Sequence, residues 1–247
     1  MIEVQNLTKY YGTKIALDKI SFTVNKGEIL GFLGPNGAGK STAMKIITCY
    51  LSPTEGTVKL DGMDVVDNSL QVRKRIGYLP ENPPLYMDMT VKTYLGFAAS
   101  IKGVPSKKMR SSVDTVVEKC GLKRYYKAYC NSLSKGYRQR VGIAQAMIHE
   151  PMVLILDEPT TGVDPLSRQQ FWALIDDIRS GRPGMSVLIS TAYMEEAQKW
   201  DWIVAMDAGQ VLATGTPAEL MRRTGTTNLE ASFIGLLPEE KRKGHTE

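Results

Sequence analysis

The densest chemistry in this 247-residue sequence lies in Gly34-Pro35-Asn36-Gly37-Ala38-Gly39-Lys40-Ser41. The run fits G-x-x-x-x-G-K-[ST], with an apolar stretch, Ile29 to Leu33, before it and a helical pattern, residues 39–51, after it. These residue types suit a polyphosphate. Glycines let successive backbone N–H groups turn inward around a β-phosphate, Lys40 brings positive charge to the β and γ phosphates, and the Ser41 hydroxyl is a ligand for Mg²⁺. Pro35, Asn36, Ala38 and Thr42 complete the loop and helix start that such phosphates would touch. A second constellation, Val153-Leu154-Ile155-Leu156-Asp157-Glu158, sets four apolar residues, as in a buried strand, before two adjacent carboxylates. Phosphoryl transfer needs another metal anchor and a group acting on the attacking water. Asp157 suits the first role, through a water, and Glu158 the second. Buried carboxylates without such work are costly, so the pair is not read as structural.

The elements that must position these groups follow from the pattern of apolar residues. Residues 2–8 and 15–24 alternate apolar and polar, and Asn25-Lys26-Gly27 closes the second run, which predicts an antiparallel layer. Residues 29–33 read as a short strand feeding the glycine loop, and Ser52-Pro53 ends the helix behind it. Further strands are expected at 57–60, 76–79, 153–156, 186–190, 202–206 and 210–214, with a mostly helical block between about 82 and 150. The order predicts one α/β core carrying a helical insertion. Leu229, Phe233, Leu236 and Leu237 fall at helical spacing, which predicts a helix packed on its own domain.

Composition narrows the classes. Apolar runs reach only a few residues, whereas a membrane-spanning helix needs about twenty. The start, MIEVQNLTKYYG, lacks the pattern of a secretory signal, so a cytoplasmic location is expected. Cys49, Cys120 and Cys130 form no CxxC pair and predict neither a zinc site nor a disulfide framework. The net charge of +5 is spread along the chain, as on a solvated surface, and DNA is not expected as a partner. The tail EEKRKGHTE is polar enough to predict disorder.

Between the two constellations lies Leu133-Ser134-Lys135-Gly136-Tyr137-Arg138-Gln139-Arg140, which resembles the signature of ATP-binding cassette proteins. The resemblance implies an α/β P-loop NTPase core of the ABC type with an antiparallel β subdomain and a helical subdomain at about 82–150. It covers residues 1–224, leaving 225–247 as a C-terminal helix and charged tail. It implies ATP and Mg²⁺ as cofactors, and that Ser134 and Gly136 reach the γ-phosphate held by a second cassette. A helix starting near Tyr137 would aim its positive end there. By the same resemblance Tyr11 stacks on adenine, Gly162-Val163-Asp164 forms the loop after the catalytic carboxylate, and Ile76 to Glu81 forms a metal-sensing loop with Glu81 as a third metal ligand.

The 94 residues from Lys40 to Ser134 leave no room for the coiled coil of chromosome-maintenance relatives. Without an NKxD motif downstream, a GTPase is disfavoured. GYLPEN, LSKGYRQR and DEPTTGVDP look most like cassettes of ABC-2-type exporters. This implies an ABC transmembrane permease and a second cassette, in a homo- or heterodimer, as partners, and a peripheral place at the inner face of the cell membrane. From Asp157 onward the chain also resembles the ribosome-associated ATPase branch. The alternative is a soluble ATP-gated clamp, with the ribosome a partner only in that case.

Several positions depart from the family pattern. The family places a histidine after the strand at 186–190, where this chain has Ala192, so slow turnover, or a site that mainly binds, is expected. The two histidines elsewhere read as structural or idle: His149 as a cation capping a helix end, His245 in the tail. Glu81 replaces a glutamine, and Lys135 and Tyr137 differ from the commonest signature. Coupling to a membrane subunit is expected near residues 82–95, where Tyr86, Met87 and Met89 suit either core or a partner groove.

Overall fold

The computed structural model describes residues 1–242. In chain order the strands are β1 (Ile2–Tyr11), β2 (Lys14–Val24), β3 (Ile29–Leu33), β4 (Glu55–Leu60), β5 (Met63–Asp64), β6 (Ile76–Leu79), β7 (Val153–Asp157), β8 (Ser186–Thr191), β9 (Trp202–Asp207) and β10 (Gln210–Gly215). The helices are α1 (Lys40–Ile47), α2 (Ser69–Arg75), α3 (Val91–Ile101), α4 (Ser106–Lys119), α5 (Lys135–Met147), α6 (Pro165–Ser180), α7 (Pro217–Thr224), α8 (Leu229–Leu236) and α9 (Glu239–Arg242). The chain divides into two compact units, one made of Met1–Val72 with the segment from Ser186 onward, the other of Arg73–Met185. Among the described residues no helix is long and apolar enough to cross a membrane.

The first unit holds two sheets. The antiparallel sheet, in the order β2-β1-β4-β5, forms because one face of each long strand is apolar: Ile2, Val4 and Leu7 are buried on β1, and Leu17, Ile20, Phe22 and Val24 on β2. In the other, β3 lies between β8 and β9, parallel to both, and β10 pairs antiparallel with β9. All five residues of β3 and all six of β8 are buried, as expected for strands covered on both faces. Phe22 meets Phe32 edge to face, with ring centroids 5.1 Å apart, so the two sheets share one core.

The second unit pairs β6 with β7 in parallel, from Ile76 opposite Val153 to Leu79 opposite Leu156. Helix α5 packs on β6, and α3, α4 and α6 pack around α5. Thr90 caps α3, accepting from the Thr93 amide at 3.2 Å. Asp164 caps α6, which has Pro165 in its first turn.

Several boundaries differ from the sequence-based expectations. The helix expected over 39–51 ends at Ile47, because the Tyr50 and Leu51 amides both fold back onto the Lys45 carbonyl, at 2.8 and 3.1 Å. Residues 82–90, expected in the helical block, are not helical; Pro83 and Pro84 remove amide donors and disfavour helix before them. Conversely α2, α6 and α7 are helices that strand-by-strand reading left unassigned. The helix expected over 228–237 forms as α8, with Leu229 and Phe233 buried and Ser232 bonded to Thr224 of its own unit at 3.0 Å. Residues 239–242, placed in the disordered tail, form the short α9, where Lys241 Nζ reaches Asp207 Oδ2 at 2.5 Å. The rest of that tail, His245 included, lies outside the described residues.

Candidate functional site

In the first unit, β3 delivers the chain directly into the glycine loop. Gly39 is the N-cap of α1 with φ +103°, a backbone state open to glycine, and α1 carries no acidic residue in its first turn and no side-chain cap. The helix start therefore presents amides and a positive dipole end to an anion. Gly34 has no room for a side chain: a Cβ would sit 2.2 Å from the Met206 carbonyl oxygen. The loop is also clasped by the turn between β9 and β10, where the Gly209 amide donates to the Ala38 carbonyl at 3.0 Å.

Lys40 is only 4% exposed, and its Nζ donates to the carbonyls of Gly34 at 2.7 Å and Pro35 at 3.2 Å. A buried ammonium needs such acceptors, and phosphate oxygens can take their place without the lysine leaving the loop. Ser41 and Thr42 follow in the first turn of α1, while Pro35, Asn36 and Gly37 are exposed at the rim. Tyr11 ends β1 with 47% of its surface exposed, and Lys9 Nζ lies 5.7 Å from its ring centroid. Ala192 follows β8 directly, beside Thr191, whose hydroxyl donates to Glu196 Oε2 at 2.8 Å and accepts from the Tyr193 amide at 3.0 Å. Ala192 and Pro35 line one cavity.

In the second unit, Asp157 ends β7 and is 3% exposed; the Tyr78 hydroxyl of β6 donates to its Oδ2 at 3.4 Å. Glu158 follows with φ +47°, the left-handed region that a side chain disfavours. Thr161 Oγ1 donates to Glu158 Oε2 at 3.1 Å. Strain of this kind is concentrated where function requires a fixed geometry.

The signature segment belongs to the same unit. Ser134 is the N-cap of α5 and accepts from the Tyr137 amide at 3.4 Å, so the helix begins at Lys135, slightly earlier than the expected Tyr137. Gly136 packs against α6: a Cβ there would lie 3.1 Å from Ser167 Oγ. Ser167 in turn gives its amide to Asp164 Oδ1 at 2.9 Å, and its side-chain and backbone bonds hold the Asp164 carboxyl below the usual range. Glu81 lies just beyond β6, and its backbone carbonyl accepts from the buried Gln139 of α5 at 3.0 Å.

His149 departs from its expected role as a helix-capping cation. Its Nε2 bonds the Ile76 carbonyl of β6 at 3.1 Å, so the proton sits on Nε2, and the buried Nδ1 has no partner among the described residues. Burial first, then the Lys102 and Arg182 charges, push its pKa down to about 4, against the opposing pull of the Ile76 carbonyl. The ring is a neutral brace rather than a cation.

The first unit thus gathers Gly34 to Thr42, with Ala192 beside Pro35; the second gathers Asp157 and Glu158, and lays the Ser134–Gly136 turn on α6. Sequence reasoning did not single out Tyr78 or Thr161. Thr161 was findable as a hydroxyl three residues after Glu158, whereas Tyr78 acts across the β6–β7 pair and left no local signal.

A glycine loop around a buried lysine at a helix start, and an aspartate–glutamate pair ending a buried apolar strand, define a P-loop nucleotide-binding protein. The chain belongs to the ABC transporter family, whose profile matches residues 17–161. It is 36% identical to the probable multidrug ABC transporter ATP-binding protein YbhF of Escherichia coli strain K12 over 96% of its own length, and spans 42% of that protein. It is also 36% identical to the daunorubicin resistance ATP-binding protein DrrA3 of Streptomyces coeruleorubidus, covering 93% of this chain and 72% of the relative. Among solved structures it resembles an ATP-binding subunit of an ABC transporter, with TM-score 0.85, 29% identity and 96% and 99% of the two chains covered. A bacterial ABC transporter cassette solved as a dimer matches with TM-score 0.79 and 26% identity over 87% of this chain and 98% of that one. The fold is that of an ABC cassette: a P-loop α/β core with an antiparallel β subdomain and a helical subdomain.

Proposed function

We propose that the chain is the ATP-hydrolysing subunit of an ABC-2-type membrane exporter, working as a pair of cassettes with a transmembrane permease at the inner face of the membrane. The observation that carries this reading is Lys40, buried in a glycine loop with its ammonium on the Gly34 and Pro35 carbonyls, whose place phosphate oxygens can take, in a chain of the ABC transporter family. The loop from Gly34 to Thr42 wraps the phosphates, and the exposed ring of Tyr11 stacks on adenine. Ser41 in the first unit, and Asp157 and Glu81 in the second, carry hydroxyl and carboxylate oxygens, the hard donors that Mg²⁺ selects; a bound ion would neutralise charge on the phosphates. Glu158 takes the proton of the attacking water. Ser134 and Gly136, at the start of α5, reach the γ-phosphate of the second cassette, so that ATP closes the pair and hydrolysis reopens it. The dimeric cassette and the two relatives named for drug resistance or multidrug transport support this assembly.

The segment at 82–95 couples to the permease. Tyr86 is 49% exposed and Met87 41%, and the Tyr86 ring stands edge to face on the exposed Phe97 at 5.3 Å, an apolar surface suited to a membrane-subunit helix. Residues 1–224 act as the ATPase domain, with 225–247 as its C-terminal extension. The test is affinity purification of the tagged chain in gentle detergent, with mass spectrometry of its companions. Enrichment of a polytopic membrane protein supports the exporter; ribosomal proteins without one would replace it with the soluble clamp.

A further inference from the structure

In the first unit a cavity of about 520 Å³ opens between the phosphate loop and the C-terminal helices, within the range of small-molecule sites. Its walls are apolar: Phe233, Ile234 and Leu237 from the α8 end, Met194 and Ala192 from the segment after β8, and Pro35 from the loop. Its rim is acidic. Asp207 is already paired with Lys241, which leaves Glu230 and Glu240, both exposed, as the remaining carboxylates. We propose that this cavity binds a cationic amphiphile, an apolar chain carrying an ammonium head, and that its occupancy is linked to nucleotide at the phosphate loop.

The chemistry of the lining selects this class. The apolar walls favour removal of an alkyl or aryl body from water, and the two rim carboxylates favour a cation over an anion at the mouth. Ala192 contributes only a methyl group to the lining. The linkage runs through Pro35, which walls the cavity while its carbonyl holds Lys40 at 3.2 Å. A ligand seated on Pro35 favours the loop form in which Lys40 is bonded to carbonyls, and so weakens ATP; by reciprocity ATP weakens the ligand equally. The linkage, unlike the site, rests on nucleotide binding at the loop, and titration without nucleotide keeps the two apart.

The experiment is calorimetric titration of the full chain with decyltrimethylammonium below its micelle concentration, against decanoate and decyl maltoside as anionic and neutral counterparts. One saturable equivalent of the cation is expected, with decanoate weaker. Reversing both rim charges, Glu230→Lys with Glu240→Lys, should weaken the cation by about twofold to thirtyfold, the worth of two exposed charge pairs. Ile234→Trp, which narrows the cavity, should weaken saturable binding; if it fails to fold, the surface charge reversals decide. Non-saturable uptake, or equal affinity for all three head groups, overturns the site. Cation binding that is unchanged by saturating ATP overturns the linkage alone.

Discussion

The phosphate loop and the turn after β7 place their charged groups by opposite means. Lys40 is held by backbone, the carbonyls of Gly34 and Pro35, in a loop where Gly34 and Gly39 leave no space for a side chain. Glu158 is held by a side chain, Thr161, on a residue whose backbone is strained to φ +47°. A backbone cradle tolerates little substitution because bulk deforms it, whereas a side-chain cradle is tolerant of shape and sensitive to chemistry. The largest expected effect follows from the second case. Glu158→Gln keeps size and strain but removes the proposed proton acceptor, so ATP turnover should fall by about 10²–10⁴-fold with ATP affinity nearly unchanged. A loss under tenfold in steady-state phosphate release would break the contrast.

Next in size is a repair on the side of the phosphate loop. Ala192 opens onto the cavity that reaches Pro35, so there is room for a larger residue. Ala192→His should raise turnover by up to about 10²–10³-fold, the usual worth of one well-placed donor, and leave nucleotide affinity nearly unchanged. Equal turnover in the two proteins would show that a donor at 192 contributes nothing. The cradle itself is probed by stability. Gly34→Ala drives a Cβ to 2.2 Å from the Met206 carbonyl and should cost about 1–3 kcal/mol in urea unfolding. Gly37→Ala has open space around it and bears only the strain of φ +85°, about 1 kcal/mol. Reversal of that order would mean that conformation, not clearance, sets the loop.

The same contrast explains what was legible in the sequence. Backbone cradles advertise themselves, because glycine and lysine at fixed spacing have few other uses, and the phosphate loop, its strand and its helix were all readable. The strand ending in Asp157-Glu158 was readable from four buried apolar residues. Its supports were not: the Tyr78 hydroxyl reaches Asp157 through strand pairing, and the left-handed turn at Glu158 has no residue signature. Helix α6 was overlooked because its cap, Asp164, and the following Pro165 read equally as a loop until the apolar face of Phe171, Leu174, Ile175 and Ile178 finds a core.

His149 separates the two units by acidity. Among the described residues it is the sole histidine, and it lies in the second unit, neutral, with Nε2 on the Ile76 carbonyl. Its folded pKa of about 4 lies below the ordinary 6.5, so between those values the unfolded chain holds the extra proton. The stability it contributes is complete above about pH 6.5 and is lost as pH falls toward 4. From pH 7 to 5 the loss should be about 1–2 kcal/mol, after allowance for solvent screening of the part-exposed ring. In His149→Gln, whose amide nitrogen can still donate to Ile76 but cannot titrate, this share of the acid sensitivity should vanish. Hydrogen exchange at pH 7 and 5 locates the effect. Protection should fall first at the β6–β7 pair of the wild-type chain, and less around β3 and α1. Uniform loss, or equal loss in the variant, would mean that the ring is no proton-sensitive brace.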